Sequence, residues 1–401
     1  MANASFLQRL RNWRAPQEQE PQSQEPQRQP QNRKEDYYTA SQWQLFRARF
    51  FANRMAALGG GILCLFIFMS LFAEFLAPYS GQADTRDNAY QAGPPQLIHF
   101  CDQGGCRSPF VYEITSRYDV VQKRGLVEIV EENGEPVRRS LQFFTPGVSY
   151  RLLGFIPTNI HLFGVEDGFV HLFGTDGSGL DLFSRVMFAT RTSLSIGFFS
   201  VMISFVLSLF IGGVSGYFGG RIDTMLQAFT DLVRVVPEIP LYMALAAMFP
   251  RDWSNQQVYF AMTLVLGLVG WPTLARRIRS YLLSAKQEEY VLAAQLAGAG
   301  AWRIITRHLL PGFISYIIVE LVINFPYMIL KETALSIVGL GLRRPSMSWG
   351  VLLQEMTTVQ AIQLTPWFAI PLIFFVVAVL SFNLLGDGLR DAADPYADIR
   401  R

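Results

Sequence analysis

The stretch LSIGFFSVMISFVLSLFIGGVSGY occupies residues 194–217 and contains no charged side chain. A helix needs about 20 consecutive apolar residues to cross the hydrocarbon core of a membrane. Further apolar runs lie on either side of this stretch, at residues 55–77, 224–248, 259–274, 312–330 and 367–385. The pattern predicts an all-α membrane protein with six transmembrane helices.

The composition agrees with a membrane protein. Half of the 401 residues are hydrophobic and 16% are charged, whereas a soluble domain carries about 25% charged residues. The net charge of +2 is too small to indicate a nucleic-acid partner. None of the lysines follows a glycine, so a phosphate-binding loop of the Gly-Lys-Ser/Thr type is absent from the sequence. We therefore expect no cofactor here, and any ATP that drives this protein binds to another chain.

Two polar regions flank the first apolar run. Residues 1–40 are rich in Gln, Pro, Glu and Arg, and we expect a disordered cytoplasmic tail because so few apolar side chains cannot offset the entropy of folding. Residues 78–191 contain strand-like runs at 110–114 and 126–130, followed by a turn signal at 132–135. We expect a β-rich insert there, which either docks a soluble partner or simply elaborates the surface.

The distribution of arginines sets the expected orientation. Arginines cluster before residue 55, between residues 276 and 307, and after residue 389. Positively charged residues remain on the cytoplasmic side of a membrane. With six spans, all three clusters share one side, so both termini are expected in the cytoplasm and the insert on the outer side.

Cys101 and Cys106 bracket a short Gly-rich loop in this insert. On the outer side, in an oxidising compartment, a disulfide between them is favoured over the alternative of two free thiols. Two thiols and the neighbouring His99 are too few ligands for a zinc site, so we expect no metal.

Ionisable and helix-breaking residues inside the spans are candidates for a transport path. Pro237, followed by Glu238, interrupts the third span, where a broken helix indicates either a substrate path or a packing kink. Glu320 is the deepest ionisable group, and it either lines the path or bonds to a neighbouring helix. Asp231 and Arg234 are three residues apart on one helix, and this spacing predicts an ion pair.

A segment at residues 331–350 begins as an apolar stretch but is too short and too rich in glycine for a full span. We expect a short interfacial or re-entrant helix there, on the outer side.

A polar interruption separates the fourth and fifth spans. Residues 287–297 are strong helix formers, Gly298 and Gly300 end the predicted helix, and residues 301–310 predict a second short helix. Pro311 then falls in the first turn of the fifth span, where proline is tolerated. The first helix suits docking into a groove of a soluble partner. The alternative, a helix lying on the membrane surface, usually has a basic face that this segment lacks.

This interruption resembles the coupling loop of permease subunits of ATP-binding-cassette (ABC) importers. The residues that match the family pattern are Ala293, Ala294, Gly298, Leu310 and Pro311. Leu292 stands where the family has a glutamate, and Glu289, one turn earlier, could substitute for that glutamate. The residues that this resemblance assigns to coupling with an ATPase are Glu288, Glu289, Leu292, Ala293, Ala294, Leu296, Gly298, Leu310 and Pro311.

Three more segments resemble the dipeptide, oligopeptide and nickel permeases, in particular their second, C-type subunit: residues 174–185, 331–341 and 383–391. The resemblance covers residues 55–395 apart from the insert. It implies a first transmembrane helix at 55–77, a periplasmic insert at 78–191 and a five-helix transport domain at 192–395 with its coupling loop at 277–311.

The resemblance also implies partners and a location. The partners are a second permease subunit, two ATPase subunits that hydrolyse ATP in place of this chain, and a periplasmic solute-binding protein. The location is a bacterial inner membrane. The sequence does not decide between a dipeptide, a longer peptide, a peptide antibiotic and a nickel complex. The alternative function, a secondary transporter or channel without ATPases, predicts inverted repeats, and no convincing repeat is found.

Overall fold

The computed structural model describes residues 42–102, 105–119 and 124–393. The chain divides into two units, Met1–Phe46 and Arg47–Arg401. The first unit is described only over residues 42–46, which are helical. The tail predicted at residues 1–40 lies outside the described residues. The architecture below is that of the second unit, from Arg47 onward.

The protein is mostly helical. In chain order, the α-helices of the described residues are α1 Gln42–Ala52, α2 Arg54–Leu71, α3 Ala73–Leu76, α4 Leu182–Phe218, α5 Gly220–Val235, α6 Glu238–Ala247, α7 Asn255–Gly270, α8 Pro272–Ala285, α9 Glu289–Leu296, α10 Ala301–Arg303, α11 Leu310–Ile337, α12 Trp349–Gln354, α13 Val359–Leu364 and α14 Ile370–Ala393. Short 3-10 turns lie at Ala83–Thr85 and Pro366–Ala369, and a π-helical turn lies at Ile304–Leu309.

Within the described ranges, five helical segments are long and apolar enough to cross a membrane: Arg54–Leu71, Leu182–Phe218, Asn255–Ala285, Gly312–Ile337 and Pro366–Ala393. The third predicted span, at residues 224–248, is a broken helix, as Pro237 predicts. It is divided into α5, of 16 residues, and α6, of 10 residues, and Pro237 caps the start of α6. Neither piece alone reaches the length of a span. The break falls where the proline predicts it, and the sixth span stays a prediction.

Two of the predicted spans are shorter than the helices in the structure. Helix α4 begins at Leu182 rather than Leu194, because the Asp181 side chain accepts a hydrogen bond from the Ser184 N–H at 2.7 Å and so caps the helix. Helix α8 follows α7 after Trp271, so the fourth span continues to Ala285. The first nine residues of the predicted coupling loop, 277–285, are therefore helical.

The re-entrant helix predicted at residues 331–350 is wrong over its first part. Helix α11 continues without interruption to Ile337, so Lys331 belongs to the fifth span. A loop follows, and the short helix in this region is α12, which the Ser348 side chain caps by accepting from the Val351 N–H at 3.2 Å.

The insert contains an antiparallel four-stranded sheet in the order β1-β2-β7-β8. Its strands are β1 His99–Asp102, β2 Gly105–Tyr112, β7 Arg138–Leu152 and β8 Ile156–Val165, and two small hairpins pair β3 Ile114–Asp119 with β4 Arg124–Ile129 and β5 Glu131–Glu132 with β6 Glu135–Pro136. The backbone register places Cys101 opposite Cys106, and Cys101 is disulfide-bonded. The Cys106 side chain lies outside the described part, so its pairing with Cys101 stays a prediction.

The sheet is fixed to one end of the helical bundle. The buried His161 ring on β8 lies with its Nδ1 atom 2.6 Å from the Ala77 carbonyl oxygen and 2.9 Å from that of Glu74, at the end of α3. Phe163 of β8 packs edge-on against Phe183 of α4 at 5.3 Å between ring centroids. The insert therefore rests on α3 and on the start of α4.

Helix α4 packs closely on α7 and α8 through small residues. The Ser200 hydroxyl donates to the Thr263 carbonyl oxygen at 3.1 Å, and the Ser208 hydroxyl donates to that of Trp271 at 2.8 Å. At Gly212 a side chain would overlap the backbone carbonyl of Ala275. Small residues of this kind let two helix backbones approach each other in a membrane.

Substitution of Gly212 by alanine tests this contact. We expect G212A to lower the free energy of unfolding by about 1–3 kcal/mol, because its methyl group must displace α8. The neighbour Gly213 has no atom within 4 Å of the corresponding position, so G213A should be neutral or stabilise the helix by up to about 1 kcal/mol. Thermal denaturation midpoints in detergent measure both, and equal midpoints for the two variants would contradict the packing argument.

His171 is buried at the junction of the insert and α4. Its Nδ1 atom lies 3.1 Å from Asp181 Oδ1, and its Nε2 atom lies 3.4 Å from Asp87 Oδ2. The Tyr90 and Phe169 rings stack on the imidazole at 5.6 and 5.8 Å. Burial lowers the pKa of His171, but hydrogen bonds and charge attraction to the two carboxylates outweigh it and raise the pKa above the ordinary value.

This raised pKa predicts a pH-dependent stability. The protonated imidazole stabilises the fold fully below the unfolded-state pKa of about 6.5, and this contribution is lost as the pH rises through the higher folded-state pKa. We expect the denaturation midpoint of the wild type to fall as the pH rises from about 6.5 through the higher folded-state pKa. H171Q should flatten the profile, while H99Q should keep it, and a profile unchanged by H171Q would show that another group titrates.

Candidate functional site

Helix α9 forms the centre of the predicted coupling segment. It spans Glu289–Leu296, and Gly298, two residues after its end, has a φ of +77°. The Ala299 N–H donates to the Ala294 carbonyl oxygen at 3.0 Å, and the Gly298 N–H donates to that of Gln295 at 2.9 Å. These two bonds form a Schellman motif, which requires the left-handed conformation that glycine adopts without strain. The glycine that the sequence marked as a helix stop therefore fixes the direction of the chain after α9.

The chain then returns to the membrane bundle as a continuous helical segment. The α-turn Ala301–Arg303 leads into the π-helical turn Ile304–Leu309 and then into α11, with Pro311 in the first turn. Because helical turns precede Pro311, its missing N–H removes one hydrogen bond from this continuous segment. The second short helix predicted at residues 301–310 is thus present, but it is continuous with the fifth span.

One side of the coupling segment is anchored on the bundle. Val291 of α9 and Ile304 and Leu309 of the following turn are fully buried. They pack in one cluster with residues of α8 and α11, namely Leu274, Ile278, Leu282, Phe313 and Ile317. Full burial of such side chains stabilises each contact by about 1.5–3 kcal/mol. The segment is therefore held by both neighbouring spans.

The other side is exposed and partly apolar. Leu296 is 92% exposed and Trp302 is 76% exposed. The acidic residues Glu288 and Glu289 at the start of α9 are exposed too. Of the remaining predicted coupling residues, Leu292, Ala293 and Gly298 are exposed, Ala294 is half-buried, and the side chains of Leu310 and Pro311 lie outside the description.

Trp302 is a residue that the sequence reasoning missed. The sequence feature that could have indicated it is a large aromatic side chain in a polar interruption between two spans, four residues after Gly298. Together with Leu292 and Leu296, it forms the set of exposed apolar side chains that we call the coupling face.

Ionic contacts join the spans beside this segment. Arg279 of α8 donates from Nε and Nη2 to the two carboxylate oxygens of Asp223 of α5, each at 2.5 Å. The predicted pair between Asp231 and Arg234 is wrong, because Asp231 instead accepts from Arg276 of α8. Arg276, the partner of Asp231, lies on another helix, so the spacing of residues along one helix could not predict this pair.

The candidate path residues Glu238 and Glu320 are both paired with cations of other helices. Glu238, just after the break at Pro237, lies 2.6 Å from the Lys331 ammonium of α11. Glu320 of α11 accepts from Arg277 of α8. Of the two alternatives for Glu320, the bond to a neighbouring helix is therefore present, and it does not by itself show a path.

Glu332 has a different environment from these ion pairs. It is fully buried in α11, and its carboxylate accepts from the hydroxyls of Ser336 and Ser348 at 2.8 Å and of Ser193 at 3.4 Å. These serines belong to α11, to the cap of α12 and to α4. Glu332 therefore connects three elements through hydroxyl donors, an arrangement that the sequence did not indicate.

Comparison with known proteins identifies the family. The family model described as the binding-protein-dependent transport system inner membrane component matches residues 193–398. The chain belongs to this family. A second model, the N-terminal transmembrane domain of oligopeptide transport permease C, matches residues 41–95. The chain is therefore a C-type permease subunit of an ABC importer, and it is a multi-pass membrane protein.

Individual relatives agree with this assignment. The permease is 36% identical over 261 residues to the dipeptide transport system permease protein DppC of Alkalihalophilus pseudofirmus, covering 65% of this chain and 79% of the relative. It is also 36% identical over 240 residues to the glutathione transport system permease protein GsiD of Pectobacterium atrosepticum, covering 60% and 74%.

Among solved structures, an inward-facing form of the MetNI methionine ABC transporter is similar to the permease with a TM-score of 0.41 and 17% sequence identity. The similarity covers 52% of this chain and 97% of the other.

Alanine substitutions at the two glycines after α9 test the geometry of the coupling segment. G298A forces an L-residue into the left-handed region and costs about 1–2 kcal/mol, so we expect the segment to lose its fixed direction and solute uptake to fall. G300A is the matched control, because Gly300 has φ −70° and both positions face open space. Uptake by reconstituted transporter measures the effect, and equal loss in both variants would rule out backbone conformation as its cause.

Proposed function

We propose that this permease imports peptides or peptide-like solutes as one half of a two-permease path, energised by separate ATPase subunits that dock on its coupling face. The observation that carries the proposal is that a helix with exposed apolar side chains is anchored on two spans. Leu296 and Trp302 expose most of their surface, while Val291, on the same helix as Leu296, is fully buried.

The coupling face has the properties of a helix that binds in a partner's groove. Such helices present a few apolar anchors at one surface, and aromatic anchors contribute strongly to affinity. Leu292 replaces the glutamate of the resembled family, so an apolar contact takes the place of an ion pair at that position. Glu288 and Glu289 supply negative charge at the start of α9, where it also suits the helix dipole.

The anchoring supplies the mechanical link between an ATPase and the path. Because Val291 of α9 packs in one cluster with residues of α8 and α11, a displacement of α9 moves both spans. ATP-dependent closure of two ATPases would bring the coupling faces of two permeases together and favour one state of a bistable bundle. Solute delivered by a binding protein on the outer side would favour the other state.

The topology that we propose has six spans, with the broken α5–α6 segment as the third. Both termini and the coupling segment are then cytoplasmic, and the insert with its Cys101–Cys106 disulfide is periplasmic. The positive-inside distribution of arginine supports this orientation. For the solute, the names of the relatives support short peptides or peptide-like thiols.

Replacement of an anchor on the coupling face tests the docking. We expect L296R to reduce recovery of the ATPase subunits with the tagged permease by at least about tenfold, because an anchor of this kind contributes about 2 kcal/mol or more to binding. The matched control is L97R, since Leu97 is a leucine of the insert that is 73% exposed. Mass spectrometry of complexes from native membranes measures recovery.

Full recovery of ATPases with L296R would contradict the assigned face. Isolation of the wild-type chain alone, still moving solute in liposomes without ATP, would contradict the importer mechanism and favour a secondary transporter or channel.

A further inference from the structure

A cavity of about 740 Å³ lies between α8, α11 and the end of α14. Its lining includes Arg277, Tyr281, Phe313, Ser315, Tyr316 and Glu320. An adjoining cavity of about 680 Å³ shares Arg277 and the three aromatic residues. Both volumes are in the range of about 300–1,000 Å³ that is typical of small-ligand sites.

Glu320, the anion of the Arg277–Glu320 pair, lies within the bundle. Glu320 is ten residues into α11, about 15 Å along the helix axis. The Glu320 side chain is 6% exposed, whereas that of Arg277 is 46% exposed and faces the cavity. Ionisable residues at such depth are costly to keep and are found where they serve transport or binding.

An aromatic surface lies beside the pair. The Tyr281 and Phe313 rings stack at 3.9 Å between centroids, and the Phe313 and Tyr316 rings stack at 4.6 Å. Arg390 and Asp391 at the end of α14 also line the cavity, which therefore combines cations, anions and a flat apolar surface. An amino acid or short peptide carries the complementary groups: a carboxylate, an ammonium group and side chains of varied polarity.

We propose that Arg277 and Glu320 separate to hold the two charged ends of a zwitterionic solute in passage, with the solute carboxylate on Arg277 and its ammonium group on Glu320. This inference rests on the proposed import of peptides. Arginine is suited to the task, because its guanidinium group donates two parallel hydrogen bonds to a carboxylate.

When the solute replaces the Arg277–Glu320 ion pair, the net charge of the site does not change and the solute is bound weakly. One internal ion pair is replaced by two pairs with the solute, so neither Arg277 nor the nearly buried Glu320 is left unpaired, which would be costly. When the solute leaves, the internal pair re-forms. A path needs this property, because a site must be favourable enough to enter and weak enough to leave.

An anionic lipid headgroup is a less suitable occupant. The cavity arginines would attract it, but Glu320 is in contact with Arg277 and would repel a ligand that has only negative charge. A zwitterion uses both charges.

Affinity labelling tests the carboxylate site without any transport step. Ser315 lines the cavity and is exposed, so S315C places a thiol there that is accessible to reagents. The background variant is C64S/S315C, because Cys64 is a free, exposed thiol. The introduced thiolate displaces bromide from bromoacetyl-alanine, which has a free carboxylate, or from the neutral bromoacetyl-alaninamide. The ratio of the two rates in the purified complex is compared with the ratio for free cysteine.

We expect the carboxylate reagent to be favoured by about fivefold relative to free cysteine, as for one moderate ion pair. R277Q should abolish the preference. The matched control is R279Q, two residues along α8, whose partner Asp223 lies on α5 and which lines neither cavity. Because R277Q leaves Glu320 unpaired and could unfold the protein, R277Q/E320Q, which removes both charges, is measured in parallel and should also show no preference.

The same introduced thiol tests the ammonium site. Cationic aminoethyl methanethiosulfonate and neutral methyl methanethiosulfonate each form a mixed disulfide with the S315C thiolate and release methanesulfinate. We expect a preference for the cation that E320Q abolishes. The inference would be overturned if either reagent pair reacted with the S315C thiol in the same rate ratio as with free cysteine. It would also be overturned if the carboxylate preference survived in R277Q or the cation preference survived in E320Q. Uptake of trialanine by the wild-type complex tests peptide import separately, so failure of the labelling preference leaves that function standing.

Discussion

The close packing of α4 against α7 and α8 is the contact on which the rest of the structure depends. Lipid tails are as apolar as leucine side chains, so helices in a membrane are held by close packing and hydrogen bonds. At Gly212 and Gly216, a side chain would collide with the backbone of α8. Hydroxyls at Ser200 and Ser208 bond directly to carbonyl oxygens of the partner helices. This contact fixes α8, and α8 carries the coupling segment.

The position of the coupling segment follows from that contact. Leu282 and Ile278 on α8 are buried in one cluster with Val291 of α9, while Gly216 of α4 lies against α8 beside Leu282. A force on α9 is therefore transmitted to a helix that is already held at backbone distance by α4. The break at Pro237 separates α5 from α6, so the two halves of that segment need not move as one unit.

Features that depend on local composition can be predicted from the sequence. The first span, the break at Pro237 and the glycine stop after α9 are of this kind. Helix boundaries were missed where distant residues decide them. Helix α8 continues through three arginines since Asp223, Asp231 and Glu320 on other helices pair with them. The proposed coupling residues were predicted from the family pattern, but Trp302 was added only once the exposure of each side chain was known.

Polar contacts between the helices fall into two groups with different energies. The pairs of Asp231 with Arg276 and of Glu238 with Lys331 have carboxylates that are more than half exposed, so each contributes about 1 kcal/mol or less and is readily exchanged. Glu332 is buried, and removal of its serine donors would leave a buried polar group without hydrogen bonds, at a cost of about 1–3 kcal/mol. The contacts of α5 and α6 with the rest of the bundle are therefore exchanged at lower cost than those around Glu332, where α4, α11 and α12 meet.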